Sequence, residues 1–411
     1  MGYLTTQAPP FAALSGGQIQ TLFSQLPTPS YVIDEAQLQR NGACLAGLAQ
    51  RTGCRILLAQ KAFSNYDFYP LLSRYLAGTE ASGLYEARLG REEMGEKEVH
   101  VFCGAYRADE FQELLQYADH IVFNSPNQLR KFGAVAKKQG KSVGLRINPE
   151  CSTQAGHAIY DPCAPGSRLG TTRATWEREM DDHLISLLDG LHFHTLCEQN
   201  ADALAETLKA VEAAFGDVLP RMKWLNMGGG HHITRADYDM ECLERSIRYA
   251  QRTWGVTVYL EPGEAVALNA GYLVCRVLDL VQNGPTQIAI LDASAACHMP
   301  DVLEMPYQPP LYQAGVGTDG PYCYRLAGPT CLAGDVIGDY SFPQPLREGD
   351  LLVFGDMAIY TTCKNNTFNG MPLPNLWKLG EQGALVPLTH FGYGDFKGRL
   401  GRLEPQFPGV R

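Results

Sequence analysis

From Glu35 onward the chain alternates short apolar runs with amphipathic helical stretches, and the rhythm persists for about 230 residues. The runs are Arg55–Gln60, Gly78–Ser82, Glu98–Cys103, His120–Phe123, Ser142–Ile147, Gly190–His194, Lys223–Met227 and Val256–Glu261. Short continuous apolar runs of this kind suit strands buried on both faces, as parallel strands are. Helix-like segments such as Ala201–Phe215 and Tyr238–Trp254 separate most of them. Eight such units predict an α/β fold built on a (β/α)8 TIM-like barrel. Its weakest members are Gly78–Ser82 and the Pro/Gly-rich gap from Pro149 to Thr172.

After Pro262 the pattern changes. Strand-like runs at Tyr272–Leu280, Gln287–Leu291 and Leu351–Phe354 are separated by turn residues rather than helices. This predicts a separate C-terminal β domain. The run Tyr31–Asp34, opened by Pro27 and Pro29, is surplus to the barrel and is assigned to that domain. The expected division is a barrel over residues 35–264 and a β domain over 1–34 and 265–411.

The formal charge of −10 argues against a nucleic-acid surface and suits a cationic ligand. The 12 cysteines include no CxxC pair and no regular framework, and no apolar run has membrane length. Both point to free thiols in a reducing cytoplasm. Met1-Gly2-Tyr3-Leu4-Thr5-Thr6 fits a loose acylation pattern, but nothing basic follows it and the match is taken as chance.

Chemistry-bearing residues recur where the strands end. Lys61 closes the run Ile56–Gln60, Arg146 the fifth strand and His194 the sixth; Gly228-Gly229-Gly230 follows the seventh, and Glu261 ends the eighth. Each has an ordinary explanation: a lysine that snorkels to solvent, a salt-bridged arginine, a satisfied core histidine, a tight loop, a turn. Together they share one chemical sense, because the carboxyl ends of barrel strands face the active site. A desolvated lysine can hold an aldehyde. Glycine N–H groups can cradle a phosphate, a flat imidazole can stack on an aromatic ring, and a carboxylate can keep a pyridine nitrogen protonated. Those are the requirements of pyridoxal 5′-phosphate.

From Pro27 onward the chain resembles the fold-type III pyridoxal-phosphate decarboxylases, the ornithine, arginine and diaminopimelate decarboxylase group. That resemblance implies an ornithine decarboxylase/alanine racemase-like pairing of barrel and β domain. It implies that Lys61 bonds the cofactor, His194 stacks on its ring, Gly228, Gly229 and Gly230 hold its phosphate, and Glu261 pairs with its ring nitrogen. Gly328-Pro329-Thr330-Cys331 is similar to the family's GPxC segment, whose cysteine enters the partner's site across a homodimer interface. Asp356-Met357-Ala358-Ile359-Tyr360 resembles a motif ending on a phosphate-contacting tyrosine, and Phe368-Asn369-Gly370 resembles the FNG turn.

Within the group, three segments are similar to the carboxynorspermidine/carboxyspermidine decarboxylases: Ala59–Ser64, His194–Glu198, and Leu291 to Tyr307 with its Cys297-His298-Met299-Pro300-Asp301. The resemblance implies decarboxylation of one or both of those carboxy-triamines, with Cys331 as proton donor to the α-carbon. Two departures stand out: Glu264 replaces an arginine of relatives, and Leu332 an acidic residue that grips the distal end of their substrates. Glu264 is therefore expected to turn toward a cationic substrate, together with Asp301. The alternatives are another basic amino-acid decarboxylase of this fold, a catalytically silent regulatory relative, and an alanine racemase. Neither a metal, a nucleic acid nor a membrane is expected as a partner.

Overall fold

The structure, a computed structural model, describes residues 16–154, 161–312, 314–317 and 319–401. The Met1–Thr6 pattern lies outside them. Two compact units emerge, one within residues 38–268 and one made of the described residues up to 37 and from 269 onward.

The first strand, β1 (Ser30–Asp34), belongs to the second unit. The next eight close a parallel barrel: β2 (Arg55–Ala59), β3 (Gly78–Ala81), β4 (Glu98–Phe102), β5 (His120–Phe123), β6 (Ser142–Arg146), β7 (Gly190–His192), β8 (Trp224–Asn226) and β9 (Thr257–Leu260). The final pairing of β2 with β9 completes the ring. These strands lie within the eight apolar runs, matching them or falling short by up to two residues, so the anticipated barrel is the observed one. Helix Met240–Trp254 begins later than its periodicity indicates because Asp239 caps it, its side chain accepting from the N–H of Cys242. The connection between β2 and β3 is short on helix, with only a 3-10 turn, Tyr66–Phe68, and one α turn, Tyr69–Leu72.

The barrel interior is packed rather than hollow. Trp224 points inward and needs the bare backbone of two neighbouring strands. A Cβ on Gly190 would lie 2.0 Å from its ring, and one on Gly144 would lie 2.3 Å away. Its indole N–H donates to Ser142 Oγ at 2.9 Å, which fixes the ring in that slot. At the amino-terminal end of the strands a polar network surrounds this layer. Arg55 pairs with Glu98 at 2.8 Å, Glu98 meets His100 Nε2 at 3.2 Å, and His100 stacks on His120 with centroids 3.8 Å apart. Burial pushes His120 down to about 3, so that ring is neutral. The Arg55 guanidinium already answers the Glu98 charge, and this end of a barrel serves stability.

The second unit is a nine-stranded mixed sheet among the described residues. Its strands after the barrel are β10 (Gly271–Asn283), β11 (Thr286–Leu291), β12 (Gly315–Val316), β13 (Tyr322–Ala327), β14 (Val336–Phe342), β15 (Leu351–Gly355), β16 (Asn375–Leu379) and β17 (Leu385–Thr389). Their order is β12-β14-β13-β11-β10-β1-β16-β17, with β15 also on β10. β1 runs antiparallel to β10 and parallel to β16. One core, including Tyr31, Leu273, Leu326, Tyr340 and Phe354, packs on one face; another, with Phe23, Val32, Tyr272 and Val353, packs on the other. None of the described helices is long and apolar enough to cross a membrane.

Because Trp224 is pinned and cannot retreat, Gly190→Ala should destabilise the protein by about 1–3 kcal/mol through overpacking. Urea unfolding checks this; a variant as stable as the parent would show that the ring moves freely.

Candidate active site

The barrel's carboxyl-terminal end gathers charged groups that would be unfavourable if buried singly. β2 stops at Ala59, and the turn after it presents Lys61. Its amine lies 3.4 Å from the carboxylate of Glu80, which sits on β3 in register with Ala59. Burial pushes the Lys61 amine down, but the Glu80 and Glu261 carboxylates outweigh it and leave the pKa above the ordinary lysine range. Burial pushes Glu80 up to about 7, against the pull of Lys61 and with the added repulsion of Glu261.

Glu261 follows β9 and is only 3 % exposed. His192, at the end of β7, meets its Oε2 through Nε2 at 3.1 Å, and Asn226, at the end of β8, donates to its Oε1 at 2.6 Å. Burial alone would raise this carboxyl; the His192 contact and the Lys61 charge reverse that and hold it near 2. Glu261 is thus ionised, which is the state that keeps a pyridine nitrogen protonated. Burial keeps the His192 ring below its usual range, so the ring is neutral and donates from Nε2.

Asn226 turns its other end to the glycines, its Oδ1 accepting from the N–H of Gly228 at 2.9 Å. The N–H of Gly229 donates to His194 Nδ1 at 3.1 Å. A backbone N–H only donates, so the neutral His194 ring carries its proton on Nε2; burial, with Lys61 and Arg146 nearby, holds its pKa well down. The N–H groups of Gly228 and Gly229 thus have side-chain acceptors in this structure, Asn226 Oδ1 and His194 Nδ1. What requires three glycines is close approach. A Cβ would come within 2.5 Å of Phe193 O at Gly228, 2.3 Å of Glu261 O at Gly229 and 2.1 Å of Leu196 O at Gly230. Gly228 and Gly230 also have φ of +69° and +80°. Arg146, at the end of β6, donates to His194 O at 3.0 Å and lies 4.6 Å over the Phe102 ring. Burial lowers its guanidinium to about 10, still charged near neutrality.

Glu264 opens the short helix Glu264–Ala267, and its carboxylate accepts from His232 Nε2 at 2.7 Å. Burial opposes charge on His232, but the Glu264 bond and the nearby Glu198 carboxylate raise its pKa above the usual value. The carboxylate expected to face a ligand thus already has a cationic partner. Lys61, Arg146, His194, Gly228, Gly229, Gly230, Glu261 and Glu264 all belong to the barrel unit, at the carboxyl ends of its strands.

The remaining candidates belong to the sheet unit. Cys331 is exposed, and its N–H donates to Asn369 Oδ1 at 2.9 Å, joining the GPTC loop to the FNG turn. The loop folds over buried Asp335, which accepts from Thr330 Oγ1 at 2.7 Å, Ser294 Oγ at 2.9 Å and the N–H of Ala296 at 3.2 Å. A Cβ on Gly328 would meet that carboxylate at 2.2 Å, so the GPxC glycine is required by packing. Asp301 opens a one-turn helix, Asp301–Glu304, rather than lining an irregular loop, and both acids pair with Lys364. Tyr360 has φ of +55°, strained for a bulky residue and held just before helix Thr361–Lys364. Glu80, His192, Asn226, His232 and Asp335 were missed in the sequence; the signal available for His192 and Asn226 was a polar residue at the end of an otherwise apolar strand.

A buried lysine amine beside Glu80 and in the field of the charged Glu261 carboxylate has the chemistry a pyridoxal-type site on a barrel needs. The chain belongs to the pyridoxal-dependent decarboxylases: the family model described as pyridoxal-dependent decarboxylase, C-terminal sheet domain, matches residues 30–358. It is a carboxy-lyase of that family. The chain is 41% identical to a carboxynorspermidine/carboxyspermidine decarboxylase of Campylobacter jejuni, over 91% of this chain and 98% of that protein. It is 42% identical to a carboxyaminopropylagmatine decarboxylase of Synechocystis, over 92% of this chain and 96% of that protein. The crystal structure of the Campylobacter jejuni carboxynorspermidine decarboxylase complexed with norspermidine matches with a TM-score of 0.83 at 40% identity, covering 91% of this chain and 100% of the other.

The His232–Glu264 pair gives a pH signature. A histidine whose folded pKa is raised contributes stability that is fully present below its unfolded value of 6.5 and is lost as pH rises through the raised value. Glu264→Gln should therefore destabilise by about 1.5–3 kcal/mol at about pH 6 and by less at about pH 9. Urea unfolding at both pH values checks this. A deficit that grows with pH would contradict a charged His232.

Proposed function

We propose that the protein decarboxylates a carboxylated linear polyamine, carboxynorspermidine or carboxyspermidine, using pyridoxal 5′-phosphate. The observation that carries the reading is Glu261, a buried carboxylate that His192 and Asn226 hold ionised beside Lys61. The residues fit the cofactor: an amine for its aldehyde, a charged carboxylate for its ring nitrogen, the neutral His194 ring as a flat surface. Gly228, Gly229, Gly230 and, from the sheet unit, Tyr360 are assigned to its phosphate, and Gly229 must first release His194 Nδ1. Arg146 adds positive charge at this end of the barrel. When bound, the cofactor supplies an electron sink for the pair left behind as CO2 departs.

The chain's own residues do the rest. Lys61 would hold the cofactor at its carbonyl group, the place the substrate's amine would take. Glu261 stays charged throughout, because its two donors favour that state. Cys331 is assigned the return of a proton to the α-carbon. Its exposure, and that of Leu332 and Phe368 on the same rigid pair of loops, supports a homodimer in which this loop serves the partner's site. Glu264 and Asp301 are assigned to the substrate's distal amines. Each already carries a cation, His232 or Lys364, so it attracts an amine less strongly than a bare carboxylate would. Cysteines scattered along the chain with no CxxC pair support a reducing cytoplasm.

A second reading rests on the Synechocystis relative, which is as similar as the first and whose printed substrate is carboxyaminopropylagmatine. The two readings share the reacting end and differ at the far one, a guanidinium in place of an amine. A CO2-release assay with carboxynorspermidine, carboxyspermidine, carboxyaminopropylagmatine, diaminopimelate, arginine and ornithine decides between them. Preference for diaminopimelate, arginine or ornithine would overturn both.

Lys61→Ala should lose the visible absorption of the bound cofactor and nearly all turnover. Wild-type absorption and rate in that variant would remove Lys61 from the mechanism. Cys331→Ala should bind cofactor normally and turn over slowly. If sites are shared, mixing the two inactive variants under subunit exchange should restore activity; no recovery after proven exchange would count against a shared site.

A further inference from the structure

We propose that Glu80 is the proton partner of the Lys61 amine, taking a proton from it when the amine must act as a nucleophile and returning that proton when the amine is released. The proposal deepens the pyridoxal-dependent decarboxylase reading and rests on it. Glu80 is the third residue of β3 and is 2 % exposed. Among the described residues the Lys61 amine, at 3.4 Å, is the hydrogen-bond partner of its carboxylate.

The two carboxylates near Lys61 are not equivalent. Glu261 has two neutral donors, His192 and Asn226, that stabilise its charge whatever Lys61 does. Glu80 has no such support, so its charge depends on Lys61. A buried carboxylate that loses its cation is driven to take up a proton. The other candidate bases are occupied. Burial, with the Lys61 and Arg146 charges nearby, holds the His194 ring well below its usual range and so makes it a poor proton acceptor, and the Arg146 guanidinium is charged.

The proton balance is closed within the pair. Before reaction Lys61 is an ammonium and Glu80 a carboxylate. One N–H bond breaks and one O–H bond forms, leaving a neutral amine with a free lone pair beside a neutral carboxyl group. That lone pair can form a bond to a carbonyl carbon. When an incoming primary amine takes over the carbon and Lys61 leaves, the O–H bond breaks, the N–H bond re-forms, and the ion pair is restored. No oxidant, reductant or outside base is required.

The test reads Lys61 directly. In cofactor-free protein, reductive methylation of Lys61 by formaldehyde and borohydride is followed across pH by peptide mass spectrometry. Glu80→Gln should move the midpoint at least one pH unit lower, because burial then acts on an amine without its contact carboxylate. Glu80→Asp, which keeps the charge at shorter reach, should move it less in the same direction, and carries the test if the glutamine variant fails to fold. In the cofactor-loaded enzyme Glu80→Gln should lower kcat tenfold or more with a smaller change in KM. An unchanged or raised midpoint in both variants would overturn the proposal. Because labelling needs neither cofactor nor substrate, failure of the proposed substrate in the CO2 assay would leave this result standing.

Discussion

The constraint on which the rest of the structure depends is the ionised, buried carboxylate of Glu261. Taking such a charge out of water is unfavourable by several kcal/mol unless donors and a counter-charge replace the solvent. Here the donors are side chains from the ends of β7 and β8, and the counter-charge is Lys61 after β2. These groups reach one carboxylate only if the backbone at the ends of β7, β8 and β9 approaches closely. That approach forbids a Cβ at Gly228, Gly229 and Gly230. The glycine turn is thus a packing requirement of the carboxylate before it is a ligand site, and Asn226 links the two by bonding both Glu261 and Gly228.

The histidines show how partners, rather than residue type, decide charge. His120 is stacked on His100 and held neutral by burial, and His192 is neutral although it touches a carboxylate, because Arg146 and Lys61 add to the burial effect. His232 alone among these is pushed toward the charged form, since Glu264 bonds it directly and Glu198 adds a second negative charge. The sheet unit handles its own buried acid differently. Asp335 receives three neutral donors, and among the described residues no salt bridge reaches it; it organises the loop that ends in Cys331.

The barrel was legible in the sequence because its strands are buried on both faces and its helices are long enough to show a period. The sheet unit was less so. β13 and β14 carry Arg325, Asp339 and Ser341 within strands of mixed burial, and β16 and β17 are mostly half-exposed, so no uniform apolar run marks them. At the site, Lys61, Arg146 and Glu261 stood out as polar stops after apolar runs. Glu80 did not, because the Gly78–Ala81 segment is short and small, and only the register beside Ala59 brings its carboxylate to Lys61. His192 was overlooked for the opposite reason: it shares a run with His194, and only their partners in the fold, Glu261 for one and the N–H of Gly229 for the other, tell the two rings apart. Glu264 was legible as an anomaly but not as half of a pair, since His232 lies 32 residues away.

Pairing also bears on how such a site could select a polycation. A bare buried carboxylate binds an amine strongly but must stay charged in its absence, which burial resists. Glu264 and Asp301 avoid that conflict by holding a cation of their own, and Asp301 and Glu304 share a single Lys364. Two acids that meet one lysine spread negative charge over a helical turn rather than focus it on one oxygen pair. An arrangement of that kind can yield a carboxylate to an incoming amine by letting Lys364 keep the other. It discriminates charge more sharply than shape, and an amine and a guanidinium carry the same charge. Discrimination between them would have to come from hydrogen-bond geometry, since a planar guanidinium presents a fork that an ammonium does not.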